Sequence, residues 1–424
     1  MFDLLIKNAL TPDGVHVNIA CQDGKIVDIA STVNGPAIEE IDAGGNLVTP
    51  PFVDSHFHMD ATLSFGQPRI NESGTLLEGI KIWGELKPHL TVEAIKTRAL
   101  EFCTWAVARG TLAIRSHVDI CDPRLLAVDA LLEVKKEIAP FIDLQLVAFP
   151  QDGYQRDANA TTLLVRALDK GVDVVGGIPH FERTMEQGTE SVKALMKIAA
   201  ERGLLVDMHC DESDDPMSRH VETLASECQR LGLHGRVAGS HLTSMHSMDN
   251  YYVSKLLALM RDSGVSAIAN PLINMTLQGR HDTYPKRRGL TRIKELIEHD
   301  VPVALGHDCV MDPWYSMGSH DMLDVAHMAV HAAHMTSMKN IRKMFDAVTT
   351  DAAKILHLEN YGLTVGANAD LVILQAATPF DAIRLRPARL YVIRRGKILS
   401  RTAPVVAVVD LGGEGHRVDF GLKI

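Results

Sequence analysis

The stretch PFVDSHFHMD, residues 51–60, is a short apolar run that ends in His56-Phe57-His58. Its length and its Phe and Val content suit a strand, and alternate residues of a strand point the same way, so both imidazoles face one side. Seven more runs share this texture: LAIRSHVDI (112–120), LQLVAFP (144–150), VDVVGGIPHF (172–181), GLLVDMHCDE (203–212), RVAGSHLTS (236–244), VSAIANPLIN (265–274) and VPVALGHD (301–308). Between them lie amphipathic stretches such as TVEAIKTRALEFCTWAVARG (91–110), PRLLAVDALLEVKKEIAP (123–140), SVKALMKIAAERG (191–203) and TRIKELIEHD (291–300). Near-continuous apolar strands alternating with helices describe a parallel sheet covered by helices. Eight such units predict a closed (β/α)8 TIM barrel, of the α/β class, over residues 51–364. A doubly wound open sheet is the competing reading; the count of eight and the lack of a G-x-G-x-x-G loop speak against it.

The two ends differ from this middle. Residues 3–49 carry short β-like runs (DLLIKNA, HVNIACQ, KIVDIA) split by Asp-Gly and Gly-Gly turns, and ADLVILQ, RLYVIRRGKILS and VVAVVDL repeat the pattern near the C-terminus. Neither end alone has enough strands for a stable sheet. Residues 1–50 and 365–424 are therefore expected to pair as one small β-sandwich domain.

In a closed barrel the C-terminal ends of the strands share one mouth, where chemistry sits. Those ends carry His56 and His58 on strand one, His209, Cys210, Asp211 and Glu212 on strand five, His241 on strand six, and His307 and Asp308 on strand eight. His56, His58, His209 and Asp308 make a set of three imidazoles and one carboxylate, suited to Zn²⁺ or Fe²⁺ and unsuited to Ca²⁺ or Mg²⁺. One divalent ion of that kind leaves a position for water and brings hydroxide within reach near neutral pH. Glu212, three residues beyond His209, is the candidate general acid/base. His241 is the candidate second base or orienter of the nucleophile, and Asp308 can both ligate and accept the water's proton. The end of strand four, VVGGIPHFE, has no lysine to bridge two ions, which favours one ion; His180 there reads as support for the ligands or as a substitute ligand.

Composition bounds the partners. The 424 residues carry 43 Lys and Arg against 53 Asp and Glu, a net charge of −10. That balance argues against an electrostatic grip on polymeric nucleic acid or on an anionic membrane. Six cysteines are scattered without a C-x-x-C pair, no run of about 18 apolar residues occurs, and no signal-peptide pattern opens the chain, so a reduced, cytoplasmic setting is expected.

The segments PPFVDSHFHMD, SGTLLEGI, LQLVAFPQDG, DVVGGIPHFE, DMHCDE, SHLTSMHS, NPLIN, LQGRHDTYPKRRG and GHDCVMDPWY resemble the amidohydrolase superfamily, and within it the bacterial cytosine deaminase subgroup. The resemblance covers nearly the whole chain. It implies that His56, His58, His209 and Asp308 are the ligands of a mononuclear site taking iron or zinc, and that Glu212 protonates the ring nitrogen beside the attacked carbon. It implies that His241 orients and deprotonates the water. Gln151 resembles the glutamine that reads the base's carbonyl and ring-nitrogen edge, Trp314 an aromatic wall, and Leu76 a residue contributing its backbone carbonyl. A free nucleobase substrate and a homo-oligomer follow from the same likeness. The His/Cys/Cys signature of deaminases that act on flipped bases is absent.

One position departs from the subgroup, where a second aspartate usually follows the metal aspartate. Here it is Cys309, a small hydrophobe when buried. A methyl group packed there gains on the order of 0.8 kcal/mol, so 5-methylcytosine is expected to serve at least as well as cytosine. Competing substrates are other cyclic amidines such as isoguanine or creatinine, or a cyclic amide to be opened; from a different class, a metal-free binding homologue competes. Between His320 and Met338, His327, His331 and His334 are expected on one face of a packed helix, and the Lys286–Gly289 run KRRG reads as solvated charge or a subunit contact.

Overall fold

The computed structural model describes residues 1–421; the last three positions of the C-terminal segment, 422–424, lie outside the described residues. The chain opens with β1 (Phe2–Leu10), β2 (His16–Gln22), β3 (Lys25–Ala30), β4 (Ala37–Asp42) and β5 (Leu47–Thr49). It then forms β6 (Phe52–Phe57), β7 (Thr111–Asp119), β8 (Asp143–Phe149), β9 (Val174–Gly177), β10 (Leu205–Cys210), β11 (Val237–His241), β12 (Ser266–Ala269) and β13 (Val303–Leu305). The C-terminal part supplies β14 (Leu371–Leu374), β15 (Arg389–Arg394), β16 (Lys397–Arg401) and a separate hairpin of β17 (Ala407–Val409) with β18 (His416–Val418).

Strands β6 to β13 form one parallel sheet in sequential order. Most of their residues are buried, as expected where side chains fill the barrel on one face and helices cover the other. The sheet curls until its ends meet. Phe57 bridges to Asp308, the Asp308 N–H donates to the His56 carbonyl at 2.8 Å, and the His58 N–H donates to the Asp308 carbonyl at 3.0 Å. The closure depends on Gly306, where an added Cβ would lie 2.6 Å from the His56 Cβ and 2.9 Å from its carbonyl oxygen. The eight-stranded α/β barrel expected from the sequence is thus the fold found.

The two ends pair as well. Their strands run in the order β16-β15-β14-β5-β1-β2-β3, with β4 added on β1. The β5–β14 pairing, Val48 opposite Ile373, is the seam between N- and C-terminal segments. The Ile26 N–H donates to the Ala367 carbonyl at 2.9 Å, which folds the sheet over a core that includes Leu4, Ile6, Ile19, Leu371 and Ile393. Among the described residues no helix is long and apolar enough to cross a membrane.

The helix after strand eight runs Met322–Ala332, so His334 lies past its end, at φ 56°, off the face expected for it. His327 and His331 do share that face, with ring centres 4.4 Å apart, and His327 is engaged by Arg386 and the Ile383 carbonyl. In the KRRG run, Arg287 is spent on Asp282 and Arg288 on the Ala332 carbonyl.

Candidate active site

The site forms where the barrel strands end. His56 leaves β6 with its Nδ1 2.9 Å from Ser240 Oγ, and that hydroxyl donates its own proton to Asp207 Oδ1 at 2.6 Å. Ser240 therefore accepts from His56 Nδ1–H, which puts the imidazole lone pair on Nε2. That Nε2 is buried with no hydrogen-bond partner. One ligand atom each from His56, His58 and His209 lie within 4.8 Å of one another, and His58 Nε2 is 3.0 Å from His209 Nε2. Asp308 Oδ1 stands 3.6 Å from His58 Nε2 and 3.9 Å from His56 Nε2, while its Oδ2 has no hydrogen-bond partner. Buried polar atoms left without partners mark a missing charge or ligand. Neutral imidazole nitrogens converging beside a carboxylate fit a divalent transition ion.

Electrostatics agree with that fit. Burial is the main force holding the imidazoles of His56, His58, His209 and His241 well below their ordinary pKa, so they stay neutral. Burial, followed by the nearby Glu212, pushes the Asp308 carboxyl well up. Burial likewise raises the Glu212 carboxyl, opposed by its hydrogen bond from Asn274. Asp308 and His241 both hold their backbones at φ 71°, a costly conformation for residues with a Cβ and one that clusters at functional sites.

Above the cluster lies a cavity of about 200 Å³. It is lined by His58, His209, Glu212, His241 and Asp308 together with Gln151, Leu76, Cys309 and Trp314, so every candidate residue except the deeper His56 borders it. Leu77, Ile80, Ile178, Phe181, Ile273 and Leu277 complete an apolar wall that contains no Lys or Arg. Drug-sized pockets run to roughly 300–1,000 Å³, so this one has room for a single small ring. Leu76 opens the helix Leu76–Leu86, and Trp314 packs 6.1 Å from His58 and 5.9 Å from Trp83. His180 also borders the cavity; its Nδ1 lies 3.2 Å from the His209 carbonyl, so it braces the chain beside a ligand. The Cys309 thiol is 3.3 Å from Asp308 Oδ1, and burial holds it protonated.

Several groups in the site are given no role by the sequence, although Asn270 and Asn274 bound the NPLIN segment. Asn270 and Asn274, both fully buried, contact His241, and Asn274 also donates to Glu212. Arg115 anchors Asp207 at 3.1 Å beneath Ser240. His117 packs against the cluster, its ring centre 4.2 Å from that of His56 at a tilt and 4.5 Å from that of His209 edge-on. Their neighbours come from other strands, so only the closed barrel reveals them.

Comparison with known proteins places this geometry. The family described as "Amidohydrolase family" matches residues 39–409. The crystal structure of 5-methylcytosine deaminase from Klebsiella pneumoniae, liganded with 5-fluorocytosine, is 42% identical with a TM-score of 0.92, covering 94% of this chain and 98% of that one. N-isopropylammelide isopropyl amidohydrolase of Pseudomonas sp. (strain ADP) is 30% identical over 418 residues, 96% of this chain and 99% of the relative. Pterin deaminase of Rhizobium rhizogenes is 29% identical over 402 residues, 93% of this chain and 90% of the relative. These relatives differ in substrate and agree in breaking C–N bonds with water. The chain belongs to the amidohydrolase family, as a metal-dependent hydrolase of C–N bonds similar to the cytosine deaminase subgroup.

Proposed function

We propose that this protein deaminates free amino-pyrimidine bases by hydrolysis, converting cytosine to uracil and 5-methylcytosine to thymine with release of ammonia. The observation that carries this reading is a small cavity without Lys or Arg whose floor brings Glu212, His241 and Asp308 together and whose wall includes the Cys309 thiol. The similarity to an enzyme crystallised with 5-fluorocytosine supports it.

His56, His58, His209 and Asp308 would hold one ion, Fe²⁺ or Zn²⁺. Bound there, it would lower the pKa of the attacking water from 15.7 towards about 7. The remaining steps fall to side chains. Glu212, kept neutral by burial, gives a proton to the ring nitrogen N3 and makes C4 electrophilic. His241 and Asp308 align the water; its oxygen bonds to C4 while its proton passes to this pair and on to the exocyclic amine, the C4–N bond breaks to release ammonia, and the C4 hydroxyl returns a proton to Glu212. The Gln151 amide reads the base's carbonyl and ring-nitrogen edge, the Leu76 carbonyl accepts a hydrogen bond from the base, and Trp314 closes one face. Cys309 offers an apolar contact to a group at C5, where a carboxylate would demand a hydrogen-bond donor.

The test is ammonia release from cytosine, 5-methylcytosine, isoguanine and creatinine, with enzyme loaded separately with iron and with zinc. Turnover of 5-methylcytosine at least equal to that of cytosine is expected. Release from isoguanine or creatinine alone would replace this substrate class with another.

A further inference from the structure

Gln151 sits in the loop just past β8 and borders the cavity together with Leu76, the first residue of the helix Leu76–Leu86. A side chain on a loop is held less firmly than one on a strand, so a base edge can be read there only if the loop itself is fixed. Two charged groups from other parts of the chain fix it. On the far half of the loop, Glu182 Oε1 accepts from the Gln155 N–H at 2.9 Å. On the Gln151 half, Asp152 Oδ2 accepts from Lys87 Nζ at 2.6 Å, and the Asp152 N–H donates to Cys121 Sγ at 3.3 Å.

Lys87 also meets partners on two further elements. It caps the C-terminus of the helix Leu76–Leu86, its N–H donating to the Trp83 carbonyl, where a positive charge suits the helix dipole. Its Nζ lies 2.9 Å from Asp119 Oδ2 at the end of β7, and that same oxygen accepts from Trp83 Nε1 at 2.8 Å. Trp83 in turn packs against Trp314, with ring centres 5.9 Å apart. The Lys87 side chain is only 14% exposed. Burial works against its charge, yet Asp119 and Asp152 outweigh burial and raise its pKa, so the ammonium stays protonated. Lys87 itself stands outside the cavity lining.

From this we infer that Lys87 is a positioning residue for substrate recognition: its ammonium ties the helix that carries Leu76 and backs Trp314 to the loop that carries Gln151, so that one buried charge sets the spacing between the parts of the cavity that grip the base. Lys87 takes no part in the proton transfers. The metal ligands and Glu212 are carried by β6, β10 and β13 and the residues just past them. Loss of the tie therefore leaves them in place and lets Gln151 shift relative to the base.

This inference rests on the deaminase reading for its catalytic meaning, and its first test does not need a substrate. Asp152→Ala opens the tie at its half-exposed end and keeps the buried Lys87–Asp119 pair, so the variant is expected to fold. Hydrogen exchange read by mass spectrometry should show residues 150–156 exchanging roughly tenfold faster than in the wild type, with β7 and β8 unchanged. An unchanged rate in that segment overturns the inference. In ammonia-release assays Asp152→Ala should raise KM for cytosine about tenfold, with kcat changed by less than about threefold and metal content unchanged. Lys87→Arg, which keeps the charge, should stay within about threefold of the wild-type KM. In a Gln151→Ala background, Asp152→Ala should raise KM by less than about twofold more, because the contact it positions is already gone. A wild-type KM in Asp152→Ala, a loss of kcat at constant KM, or fully additive effects with Gln151→Ala also overturn it. If no base in the panel releases ammonia, the proposed function fails and the exchange rates alone decide whether Lys87 holds the loop.

Discussion

Ser240 stands between His56 and Asp207 as a one-way relay: it accepts from the imidazole at 2.9 Å and donates to the carboxylate at 2.6 Å. A serine one residue before the end of β11 thereby decides which nitrogen of His56 is free to bind an ion. Replacing it with alanine removes the acceptor for Nδ1–H and lets the ring choose either tautomer. Ser240→Ala should weaken metal affinity roughly 10- to 100-fold, the usual cost of losing an orienting partner, as read by competition with a chelator. Unaltered affinity would show that packing alone orients the ring.

Cys309 determines the polarity of one side of the cavity. Cys309→Asp should raise selectivity for cytosine over 5-methylcytosine by about tenfold or more in kcat/KM, through lost methyl burial and a buried carboxylate beside Asp308. Steady-state kinetics on both bases checks this. An unchanged ratio would remove Cys309 from the account of specificity.

Glu212 contacts His241 at 3.3 Å and borders the cavity. Glu212→Gln preserves its shape and its hydrogen bond from Asn274 but cannot shuttle a proton. The variant should bind metal normally and lose roughly 10²- to 10⁴-fold in kcat. Metal analysis beside ammonia release separates this outcome from a collapsed site.

Gly79 makes room for the aromatic wall. A Cβ there would lie 2.4 Å from Trp314 Cδ1, so Gly79→Ala must shift the indole or the helix Leu76–Leu86. The expected result is a raised KM with a stability loss of about 1–3 kcal/mol, the usual scale for overpacking. Thermal unfolding and KM measured together test it; a variant identical to wild type in both would mean that the helix slides freely.

Removing the ion should abolish turnover, and Zn²⁺ or Fe²⁺ should restore it. The bare cluster leaves His56 Nε2 and Asp308 Oδ2 buried without partners, so metal loading should also raise Tm measurably. Equal Tm for stripped and loaded protein would argue that the cluster does not hold an ion.

Much of this protein is written locally. Near-continuous apolar runs specify strands buried on both faces, amphipathic stretches specify helices, and their alternation over eight units leaves a barrel as the consistent solution. Because such a barrel gathers its strand ends at one mouth, His56, His58, His209, Glu212, His241 and Asp308 can be named from position in their runs. What no single run contains is the set of contacts between runs. Ser240 is 184 residues from His56 in the chain, and Asn274 is 62 from Glu212. These pairs meet only through β-sheet register and closure at Gly306, so tautomers, orienting partners and the shape of the cavity belong to the tertiary structure. His334 shows the converse: helical spacing places it with His327 and His331, yet the helix ends at Ala332 and the chain turns away. Local periodicity determines which elements form and which residues lie at their ends, whereas directional hydrogen bonds across the closed barrel decide what those residues can do.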